Sequence, residues 1–290
     1  MKNLRGIIPA LLTPFTLSGE VNKKALRQLI EMNIQKGVSA FYSCGSSAEA
    51  FLLTTDERKD ILETVVDAVN GRCAVIAHIG AISQDTAIEL ARHAEKTGAD
   101  VISSIPPFYY NFTFEEIKSY YYSIAEKVST PILIYNFPAF SGVTLTVDRA
   151  SQFLCDKRFI GVKHTSSDFY VLNRLKKTYP DKLIFNGYDE MLLSGLAAGA
   201  DGGIGSTYNF MAEKYIRIMK LFQQGQMEEA RKIQTEADNI IDVLAKVGVM
   251  PGEKAILTMM GLDFGECRKP FKPITAEEYE MLKKATADLL

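Results

Sequence analysis

Short apolar segments alternate with longer amphipathic segments over most of this chain. The apolar segments are rich in β-branched residues and predict strands, whereas the amphipathic segments repeat every three or four residues and predict helices. The predicted strands are 7–12, 40–43, 74–77, 101–104, 132–135, 160–163, 183–185 and 203–205. The predicted helices are 22–36, 56–69, 84–96, 114–127, 146–154, 168–178, 189–198 and 211–223.

This alternation predicts the fold class. Strands that are apolar along their whole length and are separated by helices indicate a parallel sheet covered by helices. Eight such units within residues 1–225 predict an α/β fold, a (β/α)₈ TIM barrel. An open, doubly wound sheet is the alternative, but it usually carries a glycine-rich turn after its first strand. Here that turn is Thr13-Pro14-Phe15.

The ends of several predicted helices carry recognisable signals. Glycine follows three of the helices, at Gly37, Gly98 and Gly199. Glycine adopts the left-handed conformation of a helix C-cap without a Cβ clash. Thr54 and Thr113 are each followed three residues later by glutamate, which predicts two capping boxes at helix starts.

Beyond residue 225 the strand pattern stops. Helical patterns continue at 226–247, 252–260 and 276–289. No linker rich in proline, glycine or serine precedes them, so we predict that 226–290 is a three-helix C-terminal appendage packed on the barrel. The segment 267–273 (CRKPFKP) is a stiff connector whose basic cluster lacks the interleaved aromatic residues of nucleic-acid surfaces.

Composition and charge exclude several classes of partner. The 290 residues include 33 Lys and Arg against 35 Asp and Glu, which gives a net charge of −2. This balance predicts neither a nucleic-acid partner nor binding to an anionic membrane. The first apolar run is too short for a signal peptide, and no run approaches membrane-spanning length. We therefore expect a cytoplasmic protein.

Cysteine and histidine usage gives no sign of a metal. Three histidines occur without an H-E-x-x-H pattern. The four cysteines are scattered singly, without the spacing of metal ligands, and predict reduced thiols. They are Cys44, Cys73, Cys155 and Cys267.

The most unusual residue is a lysine at the end of the predicted sixth strand. In the run 159–165 (FIGVKHT), Lys163 shares a face with Gly161 and Thr165, while His164 points to the other face. Burial disfavours the charged form of a lysine, and a neutral amine attacks a ketone to form a Schiff base. The alternative is a lysine that snorkels to water or pairs with a carboxylate.

Other candidate residues follow neighbouring strands, at the barrel end that carries the chemistry of this fold. The loop 44–49 is rich in small residues, hydroxyls and backbone N–H groups, and Ser46 and Ser47 could cradle a carboxylate. An ordinary turn is the alternative. Tyr135 ends its strand where Lys163 ends the next one, so it could act as a general acid or base whose proton a neighbouring cation makes easier to remove.

Acidic and hydroxyl side chains follow the last two strands. Asp189, Glu190 and Ser206 suit a polyhydroxy substrate because they accept several O–H bonds at fixed positions. Asp189 and Glu190 could instead simply open a helix. The aromatic cluster 106–111 favours packing. Each residue alone has an ordinary explanation, but their convergence at one end of a barrel favours a substrate site.

Together these motifs resemble those of a known family. The chain resembles, from Arg5 to Phe271, the pyruvate-dependent class I aldolases that include dihydrodipicolinate synthase and N-acetylneuraminate lyase. The core motifs are G-S-S-A-E at 45–49, Y-N-x-P at 135–138 and G-V-K at 161–163. Segments closer to the N-acetylneuraminate lyase branch are 135–143, 161–166, 186–190 and 202–209.

One position separates the two branches. Synthases of the family are expected to carry an arginine two residues after the Y-N-x-P proline, where this chain has Phe140. Phenylalanine cannot supply the charged fork that binds a second carboxylate. Ser47 and Ala48 stand where lyases often have threonine and glycine; serine keeps the hydroxyl, but Ala48 could restrict the loop backbone.

The resemblance implies an activity, with roles for the candidate residues. It implies reversible cleavage of N-acetylneuraminate, in sialic acid catabolism, to N-acetylmannosamine and pyruvate through a Schiff base on Lys163, with no cofactor and no metal. Tyr135 would relay a proton, and Ser46 and Ser47 would hold the substrate carboxylate. The hydroxylated tail would be held by Thr165, Gly187, Asp189, Glu190 and Ser206.

The resemblance also implies an assembly. Tyr109 would complete a hydroxyl relay with Ser46 and Tyr135 in the site of a neighbouring subunit, within a homotetramer. Two alternatives remain at this point. One is dihydrodipicolinate synthase or another 2-keto-acid aldolase, and the other is a non-catalytic sensor of keto acids or sugar acids.

Overall fold

Eight parallel strands form the centre of the molecule. The computed structural model describes residues 2–290. The strands are β1 Gly6–Pro9, β2 Ala40–Ser43, β3 Ala74–His78, β4 Val101–Ser104, β5 Ile132–Asn136, β6 Phe159–His164, β7 Leu183–Asn186 and β8 Gly202–Gly205. Each predicted strand is present, although β1 ends three residues before the predicted position.

The strands close into a barrel. Each strand pairs in parallel with its sequence neighbour from β2 to β8, and β8 pairs with β1. A parallel bridge between Ala10 and Tyr42 joins the end of β1 to β2, and the N–H of Leu11 donates to the Tyr42 carbonyl at 2.9 Å. The predicted (β/α)₈ TIM barrel is therefore confirmed, and the doubly wound alternative is wrong.

Helices follow the strands around the outside. Those of the first 223 residues are α1 Lys23–Lys36, α2 Thr55–Val69, α3 Gln84–Thr97, α4 Phe114–Ala125, α5 Pro138–Ser141, α6 Val147–Leu154, α7 Phe169–Thr178, α8 Leu192–Ala197 and α9 Tyr208–Gln223. Three more helices follow, α10 Met227–Val247, α11 Val249–Met259 and α12 Ala276–Ala285. Two 3₁₀ turns, Ser46–Ala48 and Asp189–Met191, lie after β2 and β7.

The predicted helix-end signals occur in the structure. Gly37 and Gly98 are left-handed C-caps with φ of 88° and 91°. Thr54 and Thr113 form capping boxes with the glutamates three residues later. Gly199, just beyond α8, also has a positive φ, of 103°.

One helix was not predicted, and three others differ from their predicted extent, for identifiable reasons. The four residues of α5 are too few to show a helical period. The predicted helix 189–198 divides into a 3₁₀ turn and α8. Helix α9 contains a break at Met211 (φ −127°, ψ 37°), which is where the prediction began it. Helix α11 starts before Pro251, because proline is tolerated in a first helical turn.

The barrel has two apolar layers, one inside it and one outside. The outer layer lies between the strands and the helices, and it continues into α10 and α11. The inner layer fills the barrel beneath the carboxyl ends of the strands, and its larger members are Ile8, Tyr42, Ile76, Ile105, Leu133, Tyr135, Phe185 and Ile204. This packed interior leaves the chemistry to the rim above it.

The three C-terminal helices extend this packing. Helix α10 contacts α9 and α8, and α11 contacts α10, α12 and α9. The division of the chain at residue 225 stays a prediction. Within residues 2–290, no helix is both long enough and apolar enough to cross a membrane.

Candidate active site

Lys163 lies inside the barrel near the end of β6. Its side chain is buried, and its Nζ lies 4.2 Å from the ring centre of Tyr135 and 4.6 Å from that of Tyr42. The residue pairs in register with Tyr135 on β5, as their positions at the strand ends predicted. His164 points to the other face, where its ring contacts Asn136 and the Asp168 carbonyl. The predicted alternation of the strand is therefore present.

Burial changes the protonation of this lysine. It lowers the pKa of Lys163 to about 7, and the nearby Asp189 opposes the change only in part. The side chain is 5% exposed, so it does not snorkel to water. No carboxylate forms an ion pair with it in the described part of the chain. Much of Lys163 is thus a neutral amine near pH 7.

Tyr135 keeps its proton in this arrangement. Burial raises the pKa of Tyr135 to about 12, while the hydroxyls of Ser46 and Thr165 lower it by a smaller amount. This corrects the expectation that a neighbouring cation makes the phenol more acidic. Burial is the largest influence on the pKa of Tyr135 in the resting site, where much of Lys163 is uncharged.

The loop after β2 is a 3₁₀ turn anchored from below. Thr13 Oγ1 donates to the Ala48 carbonyl at 2.8 Å. The residues of this loop with positive φ are Cys44 (57°) and Glu49 (59°), so alanine at position 48 is compatible with the turn. The Oγ of Ser46 is buried and has no hydrogen-bond partner within residues 2–290. An unpartnered hydroxyl on a turn of this kind suits a carboxylate ligand.

The C-terminal region holds this loop in place through Glu49. Its Oε1 pairs with Lys254 Nζ at 2.6 Å, and both side chains are almost fully buried. Its Oε2 accepts the Arg268 N–H at 2.7 Å. The segment 267–273 therefore contacts the loop through the Arg268 N–H. The Arg268 guanidinium pairs in addition with Glu57 on α2.

Asp189 forms the opposite side of the site. Its Oδ2 accepts from the N–H and the Oγ1 of Thr207 at 2.9 and 2.7 Å. Its Oδ1 is buried and has no partner among the residues that the structure describes. Burial raises the pKa of Asp189 to about 6. A Cβ at Gly205 would lie 1.5 Å from this Oδ1, so only glycine fits there.

The remaining predicted substrate residues differ in exposure. Thr165 is buried, and its Oγ1 has no hydrogen-bond partner among residues 2–290. A Cβ at Gly187 would lie 1.9 Å from this oxygen. Ser47 and Ser206 are partly exposed, and Glu190 is exposed. The free hydroxyls and the Asp189 oxygen line a polar site, above which Glu190 meets solvent.

Tyr109 is not part of the site within one chain. Its side chain is 84% exposed, and its φ is 79°, which is uncommon for a residue other than glycine. Its ring packs on that of Tyr110, with ring centres 5.1 Å apart. An aromatic side chain held outward in this way is available to a second subunit.

An apolar cavity of about 510 Å³ opens beside Ser46. Phe140, which is 68% exposed, lines it and packs on Phe137 with ring centres 4.3 Å apart. The other lining residues are Glu49, Phe51, Leu52, Ile105, Phe108, Ala139, Met250, Pro270 and Phe271. Position 140 therefore lies at the mouth of the candidate site, where a side chain can select a substrate.

Three residues of this site were missed from the sequence. Tyr42 lies beside the Lys163 amine and donates to Ser103 Oγ at 3.0 Å. Strand alternation places Tyr42 inside the barrel, which is the signal that could have found it. Thr207 and Gly205 act through Asp189, and no local pattern indicates such a pairing.

Comparisons with known proteins agree with this geometry. The chain matches the profile of the Dihydrodipicolinate synthetase family over residues 3–289. An N-acetylneuraminate lyase from Rhizobium meliloti (strain 1021) is 43% identical over 288 residues, which cover 99% of this chain and 96% of that protein. CdNal from Clostridium difficile, solved in complex with mannosamine, has a TM-score of 0.97 at 38% identity, covering 100% of both chains. An N-acetylneuraminate lyase from Fusobacterium nucleatum complexed with pyruvate has a TM-score of 0.94 at 37% identity, covering 99% of this chain and 97% of that one.

Proposed function

The chain belongs to the dihydrodipicolinate synthetase family, and from this membership we propose that it is a class I aldolase that reversibly cleaves N-acetylneuraminate to N-acetylmannosamine and pyruvate. The observation that carries the proposal is the buried Lys163 without an ion-pair partner in the described residues, beside Tyr135, in a chain 43% identical to a protein of that activity. We also place the reaction in sialic acid catabolism in the cytoplasm.

The first step is formation of the Schiff base. The neutral Nζ of Lys163 attacks the C2 ketone of the open-chain sugar acid, and the carbinolamine takes up a proton on its hydroxyl and loses water to give an iminium ion. Ser46 and Ser47, with the N–H groups of their loop, hold the C1 carboxylate during this step. No metal and no cofactor is required, because the iminium nitrogen itself accepts electrons.

Cleavage of the carbon–carbon bond follows. The iminium brings a positive charge beside Tyr135, and this charge makes the phenol proton easier to release than in the resting site. Tyr135 takes the C4 hydroxyl proton as it passes its own to the hydroxyl relay. The C3–C4 electron pair moves to the iminium nitrogen, which leaves an enamine and releases the aldehyde N-acetylmannosamine. Protonation at C3 and hydrolysis release pyruvate and regenerate Lys163.

The sugar tail is held on the side of the site opposite the carboxylate. The unpartnered Oδ1 of Asp189 and Oγ1 of Thr165 can each accept a hydrogen bond from a substrate hydroxyl. The full set of proposed tail-binding residues is Thr165, Gly187, Asp189, Glu190 and Ser206.

The assembly that we propose is a homotetramer. Its support is the exposed, outward Tyr109, which would reach the relay of Ser46 and Tyr135 in a neighbouring subunit. Sedimentation velocity measures this directly, and a monomer with full activity would contradict both the tetramer and the role of Tyr109.

Borohydride reduction followed by mass spectrometry tests the reaction. With N-acetylneuraminate, we expect a pyruvate-sized adduct on the peptide that contains Lys163, together with released N-acetylmannosamine. An adduct from pyruvate but none from N-acetylneuraminate would keep the aldolase chemistry and reject the substrate. No adduct from either compound would reject the proposed function.

The lowered pKa of Lys163 predicts how the rate depends on pH. Only the neutral amine attacks the ketone, so kcat/KM should rise about tenfold per pH unit below pH 7 and level off between pH 7 and pH 8. Initial rates between pH 5 and pH 9 measure this profile. A kcat/KM that kept rising tenfold per unit up to pH 9 would mean that Lys163 titrates as an exposed lysine.

Phe140→Arg should change selectivity at the mouth of the site. An arginine there adds a charge next to a polyhydroxy tail and creates the carboxylate fork expected in the synthase branch. We expect kcat/KM for N-acetylneuraminate to fall roughly tenfold, while trapping of pyruvate is unchanged. Phe140→Lys is the matched control, since it adds charge without the fork. An unchanged rate in both variants would show that position 140 does not select the substrate.

A further inference from the structure

Glu253 is a buried carboxyl group that the proposed mechanism does not use. It lies on α11 with no exposed surface, and neither of its oxygens has a hydrogen-bond partner within residues 2–290. The next residue, Lys254, pairs with Glu49. Burying a polar group without a hydrogen-bond partner costs free energy of folding, so the presence of this carboxyl group calls for an explanation.

The surroundings of Glu253 connect it to the substrate tail. The Ser206 hydroxyl is close enough to lower the pKa of the Glu253 carboxyl, and the charge of the Asp189 carboxyl raises that pKa. Ser206 is partly exposed, while Glu253 is enclosed behind it. The sequence predicts Ser206 and Asp189 as tail-binding residues, but it does not indicate that Glu253 of α11 lies near them.

We propose that Glu253 is a positioning residue that sets the direction of the Ser206 hydroxyl and thereby strengthens binding of the substrate's polyhydroxy tail. This inference rests on the proposed function. A carboxylic acid can donate its proton to Ser206 Oγ, which leaves the serine O–H free to donate to a substrate oxygen. A carboxylate can only accept, so it would turn the serine O–H away from the substrate.

The protonation state of Glu253 fits this role. Burial raises the pKa of Glu253 to about 8, and the charge of Asp189 adds to this, so the neutral acid predominates at pH 7. Cys267, on the segment after α11, also lies within electrostatic range, but burial raises the pKa of its thiol to about 12 and keeps it uncharged. Above about pH 8 Glu253 ionises, and the tail should be held less well.

Steady-state kinetics of Glu253→Gln and Glu253→Leu test the proposal, with N-acetylneuraminate as substrate between pH 6.5 and pH 9. We expect Glu253→Leu to raise KM about tenfold with kcat within about twofold, because only a tail contact is lost. The wild-type KM should rise above pH 8, whereas that of Glu253→Gln should stay flat, since the amide cannot ionise. Half-saturation of borohydride trapping by pyruvate, which has no tail, should be the same in all three proteins.

A second buried carboxylate serves as a control. Asp201 lies before β8, at the opposite end of the barrel, and pairs with Lys176 and Arg5. Asp201→Asn should lower the melting temperature without changing KM or its pH profile.

An unchanged KM in Glu253→Leu, or an alkaline rise of KM that persists in Glu253→Gln, would overturn the inference. If Glu253→Leu does not fold, the Glu253→Gln profile decides alone. A wild-type protein that pyruvate does not label would instead overturn the proposed function itself.

Discussion

Replacing Lys163 with alanine is expected to abolish both turnover and reductive trapping. The substitution removes the amine that forms the Schiff base, so the rate should fall roughly 10⁵- to 10⁶-fold. Trapping with pyruvate and borohydride, followed by peptide mass spectrometry, measures the loss of the adduct. Because the substitution also removes a buried amine without an ion-pair partner in the described chain, we expect the variant to fold and to melt at or above the wild-type temperature.

Lys182 provides the matched control. Burial also lowers the pKa of Lys182, but this lysine precedes β7 at the other end of the barrel, where its Nζ donates to the Phe159 carbonyl. Lys182→Ala should keep the adduct on Lys163. A pyruvate adduct that persisted in Lys163→Ala would reject Lys163 as the nucleophile, even if turnover were lost.

Tyr135→Phe should separate Schiff-base formation from bond cleavage. The ring remains beside Lys163, so the amine should stay buried and largely neutral, and the iminium should form. Without the phenol, the C4 proton has no acceptor, and cleavage should slow by roughly 10²- to 10⁴-fold. The mass of the borohydride adduct distinguishes the steps: the variant should accumulate an adduct of the whole sugar acid, where the wild type gives the pyruvate-sized one.

A buried tyrosine outside the site is the control for this variant. Tyr121 on α4 is fully buried, and its hydroxyl donates to the Ser104 carbonyl at 2.7 Å. Tyr121→Phe should lower stability by about 1 kcal/mol and leave the adduct pattern of the wild type. Wild-type turnover in Tyr135→Phe would mean that Tyr135 only packs against Lys163.

The barrel and its central pair of residues were predictable because both follow from local rules. Apolar runs separated by amphipathic segments predict parallel strands, and strands of one barrel end at the same rim. Lys163 and Tyr135 both lie near the ends of such runs, so their proximity follows from register alone. Glycine caps and capping boxes were equally local, and Gly37 and Thr54 occur in the structure as predicted.

What the sequence did not indicate depends on contacts between distant segments. Tyr42 meets Lys163 across the barrel, and Glu253 approaches Ser206 from a helix that follows the last strand. No periodicity relates such pairs. The pKa of Tyr135 in the resting site was misjudged for a similar reason, because burial, which only the fold establishes, raises it.

The buried ion pair between Glu49 and Lys254 joins the carboxylate-binding loop to α11. If the chain were cut after residue 225, the Glu49 carboxylate would lose both the Lys254 ammonium and the Arg268 N–H that hold its two oxygens. The loop that receives the substrate would be the first part of the barrel to rearrange. In protein engineering, the C-terminal helices are therefore not a detachable module, and grafting the catalytic barrel onto another scaffold requires bringing Lys254 with it.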